Sequence, residues 1–344
     1  MRPPAAAHEL AVGDPVRTVI GRAVLGVPFA GVVFFAFTWV AKGVPVLYAS
    51  EPWRDDPYDA IVSFAMWCVP LLVGLCGLRV PLCRRYRPLP VRRVLDLLRV
   101  SRVLVGVVLL TLAGEWVSVA LRLHAEAWTA TTGVLIAVLA VVTVLGAAAA
   151  LALRRVGREP VWQAARAQPD WLADAIALGE REAARLGPWR DLALAVLRWL
   201  DDEVVARVRS HPLLAAAVFS LLFAMAIEAA QIIVEGYTPA LALLFISVSA
   251  CSVFAFVVIA GAYLRVVGRE AGPPSRAVLA AIVASAAVPL AAAFRGSLWW
   301  LLGTNDRDAG LTQLAQLVFL AALVTGVGTL AATTLVRSLR QRQR

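Results

Sequence analysis

The feature that most constrains this chain is a series of uninterrupted apolar runs, each about as long as a bilayer is thick. Residues 213–234, for example, read LLAAAVFSLLFAMAIEAAQIIV and contain a single charged side chain. A helix rises ~1.5 Å per residue, so about 20 residues cross a hydrocarbon core of about 30 Å. Because the runs lack the alternation of polar and apolar residues that marks barrel strands, they predict helices.

Composition agrees with a membrane protein. The chain of 344 residues is 60% hydrophobic and has a mean hydropathy of +0.77, whereas soluble domains are about 45–50% apolar. The expected fold class is an all-α polytopic integral membrane protein with about eight transmembrane helices. The predicted spans are 18–41, 59–83, 103–121, 130–153, 213–234, 238–264, 277–294 and 313–335.

These spans divide the chain into two halves joined by one long polar segment. The predicted parts are an N-terminal segment without stable structure (1–17), a first four-helix half (18–153), a cytoplasmic amphipathic helical linker (154–212), a second four-helix half (213–336) and a basic tail (337–344). The linker is a possible docking surface for a protein partner. The basic inner loop 84–102 is expected to form a short interfacial helix before the third span.

Basic residues set the predicted orientation. Of the 33 Lys and Arg residues, 28 fall on one side of the predicted membrane, which places both termini in the cytoplasm. Arg far outnumbers Lys, which together with the abundance of Ala indicates a high-GC bacterial genome and hence a bacterial cytoplasmic membrane. Because the arginines cluster at membrane edges, the expected partners of this charge are anionic headgroups of the inner face, and no nucleic acid.

Glu115 and Glu228 are predicted to be the only buried acids of the chain, and they define the candidate site. An acid in hydrocarbon costs several kcal/mol unless it is paired, neutral or facing a cavity. Each lies six residues, or roughly 9 Å, below the outer end of its span. Both spans run outward, so the two hairpins form a possible parallel duplication, which an axis along the membrane normal could relate. The two hairpins also end in similar sequences, LRRVGRE and LRVVGRE.

Polar neighbours enlarge this candidate site. Thr111 and Ser118 share a helix face with Glu115, and Gln231 and Glu235 share a face with Glu228. Arg122, near the outer mouth of the first hairpin, is a possible partner of either acid. Three interpretations stay open: neutral or hydrogen-bonded carboxyl groups that only pack helices together, a proton or cation site, and a substrate site.

Three classes of function follow. The leading hypothesis is a transporter or permease with a carboxylate pair in the outer half of the membrane. The second is an intramembrane enzyme that acts on a lipid or isoprenoid with a Glu as general acid, and the third is a non-catalytic membrane subunit of a complex. No cofactor or metal is expected, since all three His residues lie outside the spans and the four Cys residues form no CxxC pair.

Overall fold

The structure, a computed structural model, is built from helices. It describes residues 14–43, 58–84, 91–121, 130–157, 171–264, 275–295, 298 and 310–342. No β-strand occurs in these ranges. A helix satisfies its backbone N–H and C=O groups internally, which is what an apolar environment demands of a run without polar side chains.

The helices of the first half cover the four predicted spans, and α3 begins well before its span. They are α1 (Asp14–Gly43), α2 (Tyr58–Arg84), α3 (Val91–Leu121) and α4 (Ala130–Val156). The linker contains α5 (Trp171–Ala183), a 3-10 turn (Gly187–Trp189), α6 (Arg190–Trp199), a π-helical turn (Leu200–Val205) and α7 (Ala206–Ser210). The second half contains α8 (Pro212–Glu235), α9 (Pro239–Leu264), α10 (Arg276–Ala293) and α11 (Leu311–Arg342).

In the part of the chain that the structure describes, seven helices are long and apolar enough to cross a membrane. The multi-pass α-helical prediction is therefore supported in its general form. The helix at the second predicted span, α2, contributes a shorter apolar stretch, Cys68–Val80. The count of eight spans and the orientation stay predictions.

The chain forms two compact units. The first consists of Met1–Arg54, Ile61–Asp201 and Leu264–Gly268, and the second consists of Asp55–Ala60, Asp202–Tyr263 and Arg269–Arg344. In the first unit, α1, α3 and α4 pack against one another. Glycines permit the close approach: a Cβ added to Gly31 would lie 3.3 Å from the Leu104 side chain of α3.

The basic segment before the third span differs from the prediction. It is not a separate interfacial helix, because one continuous helix, α3, runs from Val91 to Leu121. Asp96, in its second turn, is only 2% exposed. The expectation that Glu115 and Glu228 are the only buried acids was therefore wrong. It considered only acids within the membrane spans, whereas Asp96 is buried by packing against other helices.

The linker helix α6 shows an apolar face to the surroundings. Leu197 packs on α5, where a Cβ added to Gly179 would lie 2.8 Å from its side chain. On the other side of α6, four large apolar side chains are exposed: Trp189, Leu192, Val196 and Trp199. A π-helical turn interrupts the helical linker after Trp199.

In the second unit, α10 and α11 make the most extensive helix pair. Val288, Ala291 and Val318 form its core, and Leu244, Val248 and Cys251 of α9 pack against that core. Small residues bring the two backbones together, since a Cβ added to Gly326 would lie 3.3 Å from the Cβ of Ala284. Close packing of small residues is the main attractive force between helices in lipid.

This contact predicts the effect of a single substitution. Replacing Gly326 by Leu should lower the free energy of unfolding by roughly 1–3 kcal/mol, because the new side chain overpacks the α10–α11 interface. The matched control is Gly328→Leu, two residues further along α11, where an added Cβ meets nothing within 4 Å. Thermal unfolding of the purified protein in detergent measures both, and equal melting temperatures for the two variants would contradict the packing assignment.

The predicted orientation can be tested with single cysteines. In a variant whose four native cysteines are replaced by Ala, Thr238→Cys lies in the exposed turn between α8 and α9, and Arg185→Cys lies in the linker. Cytoplasmic termini predict that a membrane-impermeant maleimide labels Thr238→Cys in intact cells. Labelling of Arg185→Cys should require permeabilised cells, and the reverse pattern would overturn the orientation.

Candidate functional site

The second hairpin holds a buried carboxyl–hydroxyl pair. Glu228 of α8 and Ser249 of α9 are both buried, and the Ser249 hydroxyl donates a hydrogen bond to Glu228 Oε1 at 2.5 Å. Ser249 was not among the predicted site residues. Helical spacing along one helix cannot reveal a partner that belongs to the returning helix, 21 residues later.

The other carboxyl oxygen of Glu228, Oε2, is buried without a hydrogen-bond partner among the described residues. Glu228 as a whole is 2% exposed. A buried polar atom without a partner costs about 1–3 kcal/mol, and more when it carries charge. Such an atom in an apolar helix is typical of a site that exchanges a proton or receives a ligand.

Glu115, the acid of the first hairpin, is also buried, at 1% exposure. Beside it, the Trp116 indole N–H donates to Thr143 Oγ1 at 2.9 Å and thereby joins α3 to α4. Thr111, one turn earlier, donates to the Val107 carbonyl of its own helix at 2.9 Å. The Thr111 hydroxyl therefore has its hydrogen-bond acceptor within its own helix.

The remaining predicted site residues lie outside the described part of the structure. Arg122 is one of them, and the side chains of Ser118, Gln231 and Glu235 are the others, although these three residues belong to α3 and α8. Glu115 belongs to the first compact unit and Glu228 to the second.

A second buried polar cluster was missed by the sequence analysis. Arg79 of α2 is 1% exposed and forms an ion pair with Asp174 of α5. Its guanidinium also lies 3.7 Å from Asp96 Oδ2 of α3 and 4.0 Å from the centre of the Trp171 ring. Arg99 lies 3.6 Å from the other oxygen of Asp96. From the sequence alone, these arginines are expected to contact lipid headgroups.

This cluster attaches the linker helix α5 to the C-terminal end of α2 and the N-terminal end of α3. The Trp171 indole N–H donates to the carbonyl of Leu264 at 3.2 Å, a residue of the first unit and the last residue of α9. The carbonyls in the last turn of a helix have no partner within the helix, so this bond satisfies one of them. Arg79 is thus held by two carboxylates and one aromatic face.

Among the residues that the structure describes, no group of three His, Cys, Asp or Glu side chains is arranged to hold a metal ion. Among the described side chains, the polar contact at Glu228 is between its carboxyl group and the Ser249 hydroxyl group.

Together, the fold and the buried carboxyl groups define an α-helical protein with the composition of a multi-pass membrane protein. Comparison with known proteins adds no closer relationship: no family model matches the chain, and no curated protein or solved structure is significantly similar to it.

The buried ion cluster predicts a large loss of stability on removal of its cation. Arg79→Met leaves Asp96 and Asp174 without their shared cation, so we expect a loss of roughly 3–5 kcal/mol, as for one partner of a buried ion pair. The control is Arg185→Gln, which breaks an exposed pair with Glu182 and should change stability by about 0–1 kcal/mol. Thermal unfolding in detergent distinguishes them, and a near-neutral Arg79→Met would contradict the assignment.

Proposed function

We propose that the protein is a transporter-class protein of the bacterial cytoplasmic membrane, and that Glu228 and Ser249 form its proton-binding site. The observation that carries the proposal is the buried Glu228 carboxyl group, which has Ser249 on one oxygen and no partner among the described residues on the other. A carboxyl group that packs helices together would be expected to use both oxygens.

A proton suits this site better than a metal cation does. Ca²⁺ takes about 6–8 oxygen ligands, and Mg²⁺ takes about six. The described residues supply two oxygen-bearing side chains at Glu228, which is enough to bind and orient a proton. The Ser249 hydroxyl can donate to Oε1 in both protonation states, because a carboxylate oxygen and a carboxylic carbonyl oxygen both accept hydrogen bonds.

Glu115 is proposed as the corresponding acid of the first hairpin. It is buried, and it lies at the matching distance from the outer end of its span. Acids within membrane helices commonly form proton relays, because an ionised carboxyl group is stable there only with a partner or in a water-filled cavity. Glu115 is therefore proposed as a second proton-binding position, in the first unit.

The proposal predicts proton movement that depends on Glu228. Purified protein in liposomes with an internal pH-sensitive dye should show proton flux when a potassium diffusion potential is applied. Glu228→Gln keeps the shape of the side chain but binds no exchangeable acid proton, so flux should fall by about tenfold or more, a factor equivalent to ~1.4 kcal/mol in the barrier. Ser249→Ala should reduce flux by less, since the acid itself is kept.

The matched control is Ser247→Ala on the same helix. Ser247 is exposed and donates only to the Leu243 carbonyl one turn earlier, so its loss should leave flux unchanged. Glu115→Gln and the double variant with Glu228→Gln test the relay. Flux that is unaltered in the double variant would overturn the transport proposal.

A further inference from the structure

A cleft between α3 and α4 has the form of a lipid site. It has a volume of about 410 Å³ and is lined by four residues from each side. These residues are Arg102, Val105, Gly106 and Leu109 of α3, Ala150, Leu153 and Arg154 of α4, and Gly157 directly after α4. Both sets follow the spacing i, i+3, i+4, i+7, which places each set along one face of its helix.

Both arginines lie at the same end of the cleft because the two helices are antiparallel. Arg102 is half-buried and Arg154 is exposed. Neither guanidinium has an acidic partner among the residues described by the structure. The position of Arg102 depends on a glycine: a Cβ added to Gly157 would lie 1.5 Å from Arg102 Nη2. The cleft therefore presents two positive charges that the described chain does not neutralise.

The rest of the cleft is apolar and shaped to receive a chain. From Arg102 to Leu109 the wall extends seven residues, or roughly 10 Å along the helix. Gly106 leaves space in the middle of this wall, since an added Cβ there meets nothing within 4 Å. At the deep end Leu109 packs on Gly146, where an added Cβ would lie 3.3 Å from the Leu109 side chain. That contact closes the cleft.

We propose that this cleft binds one anionic phospholipid of the inner leaflet. The phosphate would lie between Arg102 and Arg154, and the upper part of an acyl chain would lie along Val105, Gly106 and Ala150. Guanidinium groups match phosphate oxygens in geometry as well as in charge. Free inorganic phosphate would leave the apolar two-turn wall unused, and a zwitterionic headgroup carries its own cation, so the two arginines favour an anionic lipid.

The test is native mass spectrometry of the full chain in a non-ionic detergent, titrated with dioleoylphosphatidylglycerol. Arg102→Gln and Arg154→Gln should each weaken binding of the first lipid by about fivefold, the factor that corresponds to ~1 kcal/mol for each arginine near a headgroup. Gly106→Leu should also weaken binding, because it fills the cleft while keeping both charges. Dioleoylphosphatidylcholine should bind more weakly to the native chain and respond less to the arginine substitutions.

Two controls distinguish a specific lipid-binding site from general attraction of anionic lipid to a basic surface. Arg155→Gln removes an adjacent exposed arginine that does not line the cleft, and Gly133→Leu adds the same bulk at the other end of α4, where an added Cβ also meets nothing within 4 Å. Both should leave lipid binding within about twofold of the native value. Equal weakening by Arg155→Gln, or an unchanged affinity in Gly106→Leu, would overturn the proposal.

A final arm distinguishes the source of the phosphate group. Excess inorganic phosphate should not displace the phosphatidylglycerol, because it lacks the acyl chain that occupies the apolar wall. Complete displacement would show a phosphate site and refute the lipid site. Melting temperatures in detergent alone confirm that each variant is folded before its lipid affinity is compared.

Discussion

The structure depends on the absence of water from the bilayer core, because every polar group there must find its partner within the protein. The helices satisfy the backbone, and several hydroxyl groups satisfy themselves by donating to the carbonyl one turn earlier. Thr111, Ser220 and Ser252 do so. Groups that reach across to another helix are fewer, and they locate the places where the helix pairs are specifically joined. Trp116 to Thr143 joins the first hairpin, and Ser249 to Glu228 joins the second.

The same constraint explains why so much of the helical architecture followed from the sequence. Whether a segment can cross hydrocarbon depends on its own length and apolarity, which are local properties. The predicted span 213–234 corresponds to Pro212–Glu235, and 277–294 corresponds to Arg276–Ala293. Capping residues mark two of these helix ends. The Ser275 hydroxyl accepts a hydrogen bond from the Val278 N–H at the start of α10, and Gly236, at φ 65°, follows the last residue of α8. Such capping residues have clear sequence preferences.

The contents of the sites were less predictable, because they depend on which helices are neighbours. Asp174 lies 95 positions after Arg79, and nothing local in either segment indicates that they form an ion pair. From the sequence alone, Arg79 is therefore one of many basic residues predicted at a membrane edge. Glu228 was found because a charge in an apolar run is visible by itself, whereas Ser249 was not, since a serine in a membrane helix is ordinary. The two hairpins thus match in their acids but differ in the polar residues that accompany them.

Arginines at one edge of the first unit consequently occur in two different environments. Arg79 is buried because Asp96 and Asp174 compensate its charge and Trp171 covers its face. Arg102 and Arg154 have no acid three or four residues away on their own helices, which are the positions from which a helical neighbour could pair with them. Their counter-charge must then come from outside their own helices. In a membrane the most abundant supply of negative charge at that depth is the lipid phosphate, and the apolar wall beneath the two arginines favours a ligand that carries an acyl chain.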